Sequence, residues 1–322
     1  TEVTGGVSRG KNHLPKQSFF EAMNQKPIIL VTGATGAQGG SVANALLHNK
    51  QFAIRILTRN PRSAKAKAFQ YAGAEVVQGD FNDLKSLQQA MSGCYGVFSA
   101  IPFPGRTPHE RQQGKNLMDT VQKSGIQHFV ISALNDYHAL GQDGYSAQRD
   151  DLKDSLRAYA KSLNLPATFV RTAFYYEDFL HLFPLEKDID AYYAFGSPPV
   201  SAKLAMMSVA DLGPAIISIF EHPAAYLGRV VGLVGEDRSW SEYAAIVRKL
   251  PGRELRKNKA RTDGFRIARM LEMQRLHIPN QLVHLIESYA LNPNMQSFEN
   301  WLIKNQDSIQ VGAAEVLQLQ RA

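Results

Sequence analysis

The chain has a single cysteine, Cys94, among 322 residues. One thiol excludes an internal disulfide framework and any zinc site made from several cysteines. Cys94 stands in Gly93-Cys-Tyr-Gly-Val-Phe98, at the entry to an apolar strand. A buried packing role is favoured there, because unpaired cysteines are mostly buried, with a redox-reactive thiol as the alternative. Long apolar runs are also missing, which excludes a bilayer-spanning helix, and the first residues lack a signal-peptide core. Nine histidines are scattered without an H-E-x-x-H pair, so a helix-borne metal site is not expected. There is no G-x-S-x-G nucleophile elbow, and there are no internal repeats and no low-complexity tract. These absences leave a globular chain without resident metal chemistry, expected in the cytoplasm, or also in the nucleus if the source is eukaryotic.

Apolar residues make up 44 % and charged residues 20 %, which reads as soluble and globular, with core enough for one large domain or two ordinary ones. The net charge is +7, from 36 basic and 29 acidic residues. Nine basic residues between Arg248 and Arg269 face only Glu254 and Asp263, so this window carries the whole excess. Such a face suits nucleic acid or an acidic partner. It holds a single aromatic residue, Phe265, and so lacks a series of stacking residues, which favours a solvated helix surface over direct nucleic-acid binding.

The organising stretch is Pro27-Ile-Ile-Leu-Val-Thr-Gly-Ala-Thr-Gly-Ala-Gln-Gly-Gly-Ser-Val-Ala43. Four apolar residues, Ile28 to Val31, fit a strand buried on both faces of a parallel sheet. Gly33, Gly36 and Gly39 follow as G-x-x-G-x-x-G, and Val42, Ala43, Leu46 and Leu47 recur at helical spacing. Strand, tight turn and helix in that order suit a dinucleotide: backbone comes close to the pyrophosphate, and the helix N-terminus faces it. Gly33, Thr35, Gly36, Ala37, Gln38 and Gly39 are the expected pyrophosphate loop.

Strands are expected at 53–58, 75–78, 95–101, 128–132 and 167–171, with helices between them, the first of these opened by Pro61. The alternation predicts an α/β, Rossmann-type doubly wound parallel sheet. Residues 1–26 read as a flexible extension and 27–171 as the nucleotide-binding domain. Residues 172–322 read as a smaller mixed α+β lobe, from which segments can return to the main sheet. Ser208 to Asp211 reads as a helix start in which Asp211 reaches back, and Ser239-Trp-Ser-Glu242 as a full capping box. A strand is expected at 229–234 and late helices near 262–275, 279–290 and 295–304.

Arg59 ends the second strand, where the residue that reads the adenosine ribose normally stands. An acid there favours NAD and an arginine favours NADP. With Asn60 and Arg62 beside it, Arg59 favours NADP(H); the alternative is a pair of surface cations at a helix start. Asp80 and Phe81 end the third strand and either meet the adenine or only turn the chain. Ala100, Ile101 and Pro102 end the fourth, beside the expected nicotinamide ribose. Ser132 ends the fifth.

Reductases of this architecture commonly add Y-x-x-x-K, in which the tyrosine gives a proton and the lysine lowers its pKa. Here Lys153 lies in the appropriate helix, but Arg149 stands four residues earlier and Tyr145 is out of register. The relay is broken. Lys153 is the candidate catalytic residue, as a donor to the nicotinamide ribose or carbonyl; the alternative is an exposed helix lysine.

Thr32 to Ala43, Thr58-Arg-Asn-Pro-Arg62 and Gly73-Ala-Glu-Val-Val-Gln-Gly-Asp80 closely resemble the NmrA-like family, an atypical branch of the short-chain dehydrogenase/reductases, nearest to its animal redox-sensor members. The resemblance continues through Ser208-Val-Ala-Asp-Leu-Gly-Pro214, Glu242-Tyr-Ala-Ala245 and Tyr289-Ala-Leu-Asn-Pro293 to Trp301-Leu302, roughly Ile28 to Asp307. It implies NADP(H) held by the glycine loop, Arg59 and Lys153, with Tyr175 and Asp178 closing over the nicotinamide. Ser63 departs from the family by replacing a basic residue near the 2′-phosphate, and Ile101-Pro102 by replacing a polar pair. The resemblance further implies a protein partner, a regulator or an enzyme, that responds to the NADPH/NADP balance. The alternative it leaves open is an NADPH-dependent reductase with a small-molecule acceptor, a quinone or a carbonyl, near the nicotinamide. A homodimer is compatible with either.

Overall fold

The computed structural model describes residues 26–101, 108–133, 157–177, 203–249 and 281–305. Among the described residues, no helix is long and apolar enough to cross a membrane, and no cluster of His, Cys, Asp and Glu has the makings of a metal site. The expected N-terminal extension short of residue 26, the loop after Ile101, the basic window beyond Lys249 and the helix at 262–275 lie outside the described residues.

Seven parallel strands form the main sheet: β1 (Ile28–Thr32), β2 (Ala53–Thr58), β3 (Glu75–Gln78), β4 (Cys94–Ile101), β5 (His128–Ala133), β6 (Ala167–Thr172) and β9 (Val230–Leu233). Their order is β3-β2-β1-β4-β5-β6-β9. The apolar run that marked β1 is central because both of its faces are covered. Ile29 and Val31 enter one core with Phe98, Val130 and Val170, while Leu30 enters the other with Val97, Leu117 and Phe129. Burying each such side chain contributes about 1.5–3 kcal/mol before conformational entropy is counted.

Helix α1 (Ala37–His48) covers the first face with α5 (Leu212–Glu221). They approach closely at Gly213, where a Cβ would fall 2.4 Å from Ser41 O. The Ser41 hydroxyl, which accepts from Gly213 N–H at 3.0 Å and donates to Ala210 O at 3.1 Å, occupies that seam. Helices α3 (Leu84–Met91) and α4 (Pro108–Lys123) supply the second face. Helix α2 (Ala64–Tyr71) packs by β3, and a short helix, α6 (Pro223–Tyr226), precedes β9.

A second sheet, in the order β10-β8-β7, joins β7 (Phe174–Tyr175), β8 (Lys203–Met207) and β10 (Glu236–Ser239). Helices α7 (Trp240–Arg248), α8 (Gln281–Leu291) and α9 (Phe298–Lys304) follow. Tyr176, Tyr243, Phe298 and Trp301 pack together there, with ring centroids 5.0 Å apart for Tyr243–Phe298 and 5.7 Å for Tyr176–Trp301.

Two local expectations are corrected. Helix α2 starts at Ala64, three residues past Pro61, because Ser63 is the N-cap and its hydroxyl accepts from Ala66 N–H at 3.3 Å. Asp211 does not reach back onto its own helix start; its carboxylate accepts from Gln296 N–H at 2.9 Å, and Ser208 alone caps the 3₁₀ turn Val209–Asp211. Phe174–Tyr175, too short to show a period, is a strand paired with Met206–Met207. The capping box at Ser239–Glu242 forms as expected, and Cys94 is buried.

Candidate dinucleotide site

The strand order reverses between β1 and β4, and a crevice opens at the carboxyl ends of such strands. There the buried Thr32 hydroxyl donates to Ser99 Oγ at 2.9 Å, joining the two strands at the switch point. The glycine loop follows directly. Gly33 sits at φ +67°, a left-handed backbone that side-chain-bearing residues rarely adopt. A Cβ on Gly39 would lie 2.3 Å from Gly33 O, so only glycine lets α1 start this close to the loop.

Gly36 is the N-cap of α1 and provides no side-chain cap, and the first turn contains no acid. The first helical backbone bond runs from Gly40 N–H to Gly36 O at 2.9 Å. The N–H groups of Ala37, Gln38 and Gly39 precede it, and such groups have no partner inside a helix. Gln38 is 7 % exposed, and its Oε1 finds no hydrogen-bond donor among the described residues. A buried carbonyl oxygen without a donor is costly, and a ligand hydroxyl or amide satisfies it. This loop fits a pyrophosphate.

At the end of β2 the turn holds itself. Asn60 N–H donates to Thr58 Oγ1 at 3.2 Å, and Arg62 N–H donates to Asn60 Oδ1 at 3.1 Å. The Gln78 amide donates to Arg59 O at 3.4 Å. Arg59 and Arg62 are thereby projected as exposed cations, with no ion pair among the described residues. Asp80 spends one carboxylate oxygen on the Asn82 backbone and side chain, at 2.8 and 2.7 Å. Phe81 packs against the second core, and its carbonyl accepts from Asn116 Nδ2 at 2.9 Å. Ala100 is half-buried at the end of β4, opposite Ser132 on β5, and Ile101 pairs with Ala133.

Topology thus brings Gly33, Thr35, Gly36, Ala37, Gln38, Gly39, Arg59, Asn60, Arg62, Asp80, Phe81, Ala100 and Ile101 to one sheet edge. Tyr175 stands beyond the end of β6, its hydroxyl 3.0 Å from Thr172 Oγ1 as donor. Pro102, Lys153 and Asp178 lie outside the described residues.

Two residues escaped the sequence reading. Lys65, in the first turn of α2, donates from Nζ to Thr35 O at 3.0 Å. Glu177 accepts from Ser208 Oγ at 2.8 Å, Val209 N–H at 3.0 Å and Trp301 Nε1 at 3.0 Å. Their partners lie 30 to 124 residues away, and no local pattern signals contacts of that range. A groove of about 460 Å³ runs between the loop, α1, α2 and the 3₁₀ turn, lined among others by Thr35, Gly36, Asn44, Lys65, Phe69 and Val209.

Strand order and glycine loop together define a Rossmann-type α/β protein with a small second sheet. The NmrA-like family model matches residues 25–313, and the chain belongs to the NmrA-like family. It is 31 % identical over 252 residues to the NmrA-like family domain-containing oxidoreductase FrzB of Cladobotryum sp, covering 71 % of this chain and 75 % of that protein. The fold is similar to that of NmrA, a negative transcriptional regulator solved in complex with NADP, with TM-score 0.63, 21 % identity and coverage of 86 % and 94 % of the two chains. It is similar as well to the Citrobacter sp. triphenylmethane reductase complexed with NADP(H), with TM-score 0.60, 18 % identity and coverage of 85 % and 98 %.

Proposed function

We propose that this chain binds NADP(H) along the carboxyl ends of β1, β2 and β4 and acts as a redox-responsive regulator whose contacts with a protein partner follow cofactor occupancy. One observation carries the binding: an uncapped, acid-free start of α1 behind a loop that only glycine can form, with Arg59 at the neighbouring strand end. The N–H groups of Ala37 and Gln38 receive the pyrophosphate, helped by the positive end of the helix. Gln38 Oε1 accepts a ribose hydroxyl. Arg59, with Asn60 and Arg62, reads the adenosine end and selects the 2′-phosphate. Asp80 and Phe81 border the adenine, while Ala100, Ile101 and Pro102 border the nicotinamide ribose. Lys153, Tyr175 and Asp178 close the nicotinamide end. NmrA with NADP and the triphenylmethane reductase with NADP(H) support the choice of cofactor.

The regulatory reading is supported by the missing Y-x-x-x-K relay and by the description of NmrA as a negative transcriptional regulator. It requires that the cofactor favour one conformation of the partner-binding surface over another. A second reading, an NADPH-dependent reductase of quinones or carbonyls, is favoured by the naming of FrzB as an oxidoreductase. Bound NADPH supplies a hydride in that case, and quinone reduction needs little help from a protein acid.

Following NADPH absorbance with quinones, aldehydes and enones separates the two, with Lys153→Ala alongside. The regulatory reading expects saturable NADPH binding without sustained oxidation. Turnover that disappears in the variant would establish the reductase instead.

A further inference from the structure

We infer that Lys65 is a specificity residue for the cofactor's 2′-phosphate, the second cation beside Arg59. The inference rests on the proposed NADP(H) site and names the group that discriminates there.

Ser63 is committed to capping α2 and carries no charge. Lys65 follows in the first turn. Side chains on a helix lean towards its N-terminus, and this one reaches back to Thr35 O at 3.0 Å, on the glycine loop. The loop continues β1 and Arg59 ends β2, and the two strands are neighbours in register, Thr32 opposite Leu57. The adenosine ribose of a dinucleotide on this loop therefore has Thr35 on one side, Arg59 on another and the Lys65 ammonium beside Thr35. An ammonium has three donors, and Thr35 O takes one of them.

Electrostatics points the same way. The first turn of α2 contains no acid, while Arg62 and Lys65 stand together at its start. Cations at a helix N-terminus oppose its dipole and repel one another. An exposed lysine that holds one neutral carbonyl gives up rotamer freedom for little return. A dianionic phosphate at this place reverses both signs.

The test uses the full chain with four probes: NADPH, NADH, adenosine 2′,5′-bisphosphate and AMP. Dissociation constants are measured for the wild type, Lys65→Gln and Lys67→Gln, the last an exposed lysine on the same helix. Losing one charge-assisted contact costs about tenfold in affinity. Lys65→Gln is expected to weaken NADPH and adenosine 2′,5′-bisphosphate about tenfold and to change NADH and AMP less than about twofold. Lys67→Gln is expected to change none of them. Equal weakening of NADPH and NADH would make Lys65 a mere brace for the glycine loop and overturn the inference. An unchanged NADPH constant in Lys65→Gln would overturn it too, leaving the proposed cofactor in place. A wild type that binds NADPH no better than NADH would remove the 2′-phosphate subsite itself, and with it both the NADP(H) reading and the role of Lys65.

Discussion

His128 on β5 is fully buried, with its ring edge-on to Phe220 at 5.1 Å. Thr168 Oγ1 donates to Tyr226 O, so it accepts from His128 Nε2–H at 2.8 Å, which fixes a neutral tautomer. Burial holds the imidazole pKa down at about 4, against about 6.5 in an unfolded chain. The folded state therefore binds fewer protons than the unfolded one. This contribution to stability is complete above about pH 6.5 and is lost as the pH falls towards 4, on the order of 3 kcal/mol in all. Urea unfolding of wild type and His128→Gln at pH 7 and pH 4.5 checks it: the loss of stability between the two pH values is expected to shrink in the variant. Arg59→Ala is expected to weaken NADPH by about 10- to 100-fold, with little change for NADH, as read by calorimetry. At this scale the sequence was informative where chemistry is local. Cys94 was expected to be buried from its place at a strand entry; burial raises its thiol pKa, an effect only partly opposed by Arg55. Lys65 and Glu177 were not legible, because tertiary folding alone brings Thr35 and Trp301 to them.

Elements obey their local signals until a long-range partner outbids one. Apolar runs gave β1, β2 and β4 because their residues are covered on both faces. Asp211 left its helix start for Gln296 N–H, 85 residues on. The Phe174–Tyr175 strand has only two residues, too few for any period, and exists because β8 pairs with it. The turn after it is fastened by Glu177 to the 3₁₀ turn and to Trp301 of α9. Glu177→Ala strands the indole N–H and Val209 N–H, each costing about 1–3 kcal/mol. A lowered melting temperature and altered tryptophan emission are expected, against a change of under about 1 kcal/mol for Glu299→Ala, which loses only an exposed ion pair with Lys249. Gly39→Ala forces α1 away from the loop, since its Cβ would meet Gly33 O and C within 2.4 Å. Thermal-shift titration is expected to show both lower stability, by about 1–3 kcal/mol, and no NADPH response.

Across the whole molecule, the second half of the sequence completes the first half's sheet. Helix α5 and strand β9 place Ile216, Phe220, Val231 and Leu233 in the core that holds Ile29 and Val31. The alternation of strands and helices made the doubly wound class legible. The return of β9 to the edge beside β6 was left open, since pairing between residues 61 apart depends on which edge is free. A fragment ending at Arg171 loses that side of the core and is expected to lack a cooperative unfolding transition, whereas the full chain is expected to show one.

The central claim is an NADP(H) site read at its 2′-phosphate. The most direct measurement is calorimetric titration of the purified full chain with NADPH and with NADH at one ionic strength. The account predicts saturable binding of one NADPH per chain, at least about tenfold tighter than NADH. Equal affinity for the two, or no heat from either, would contradict it.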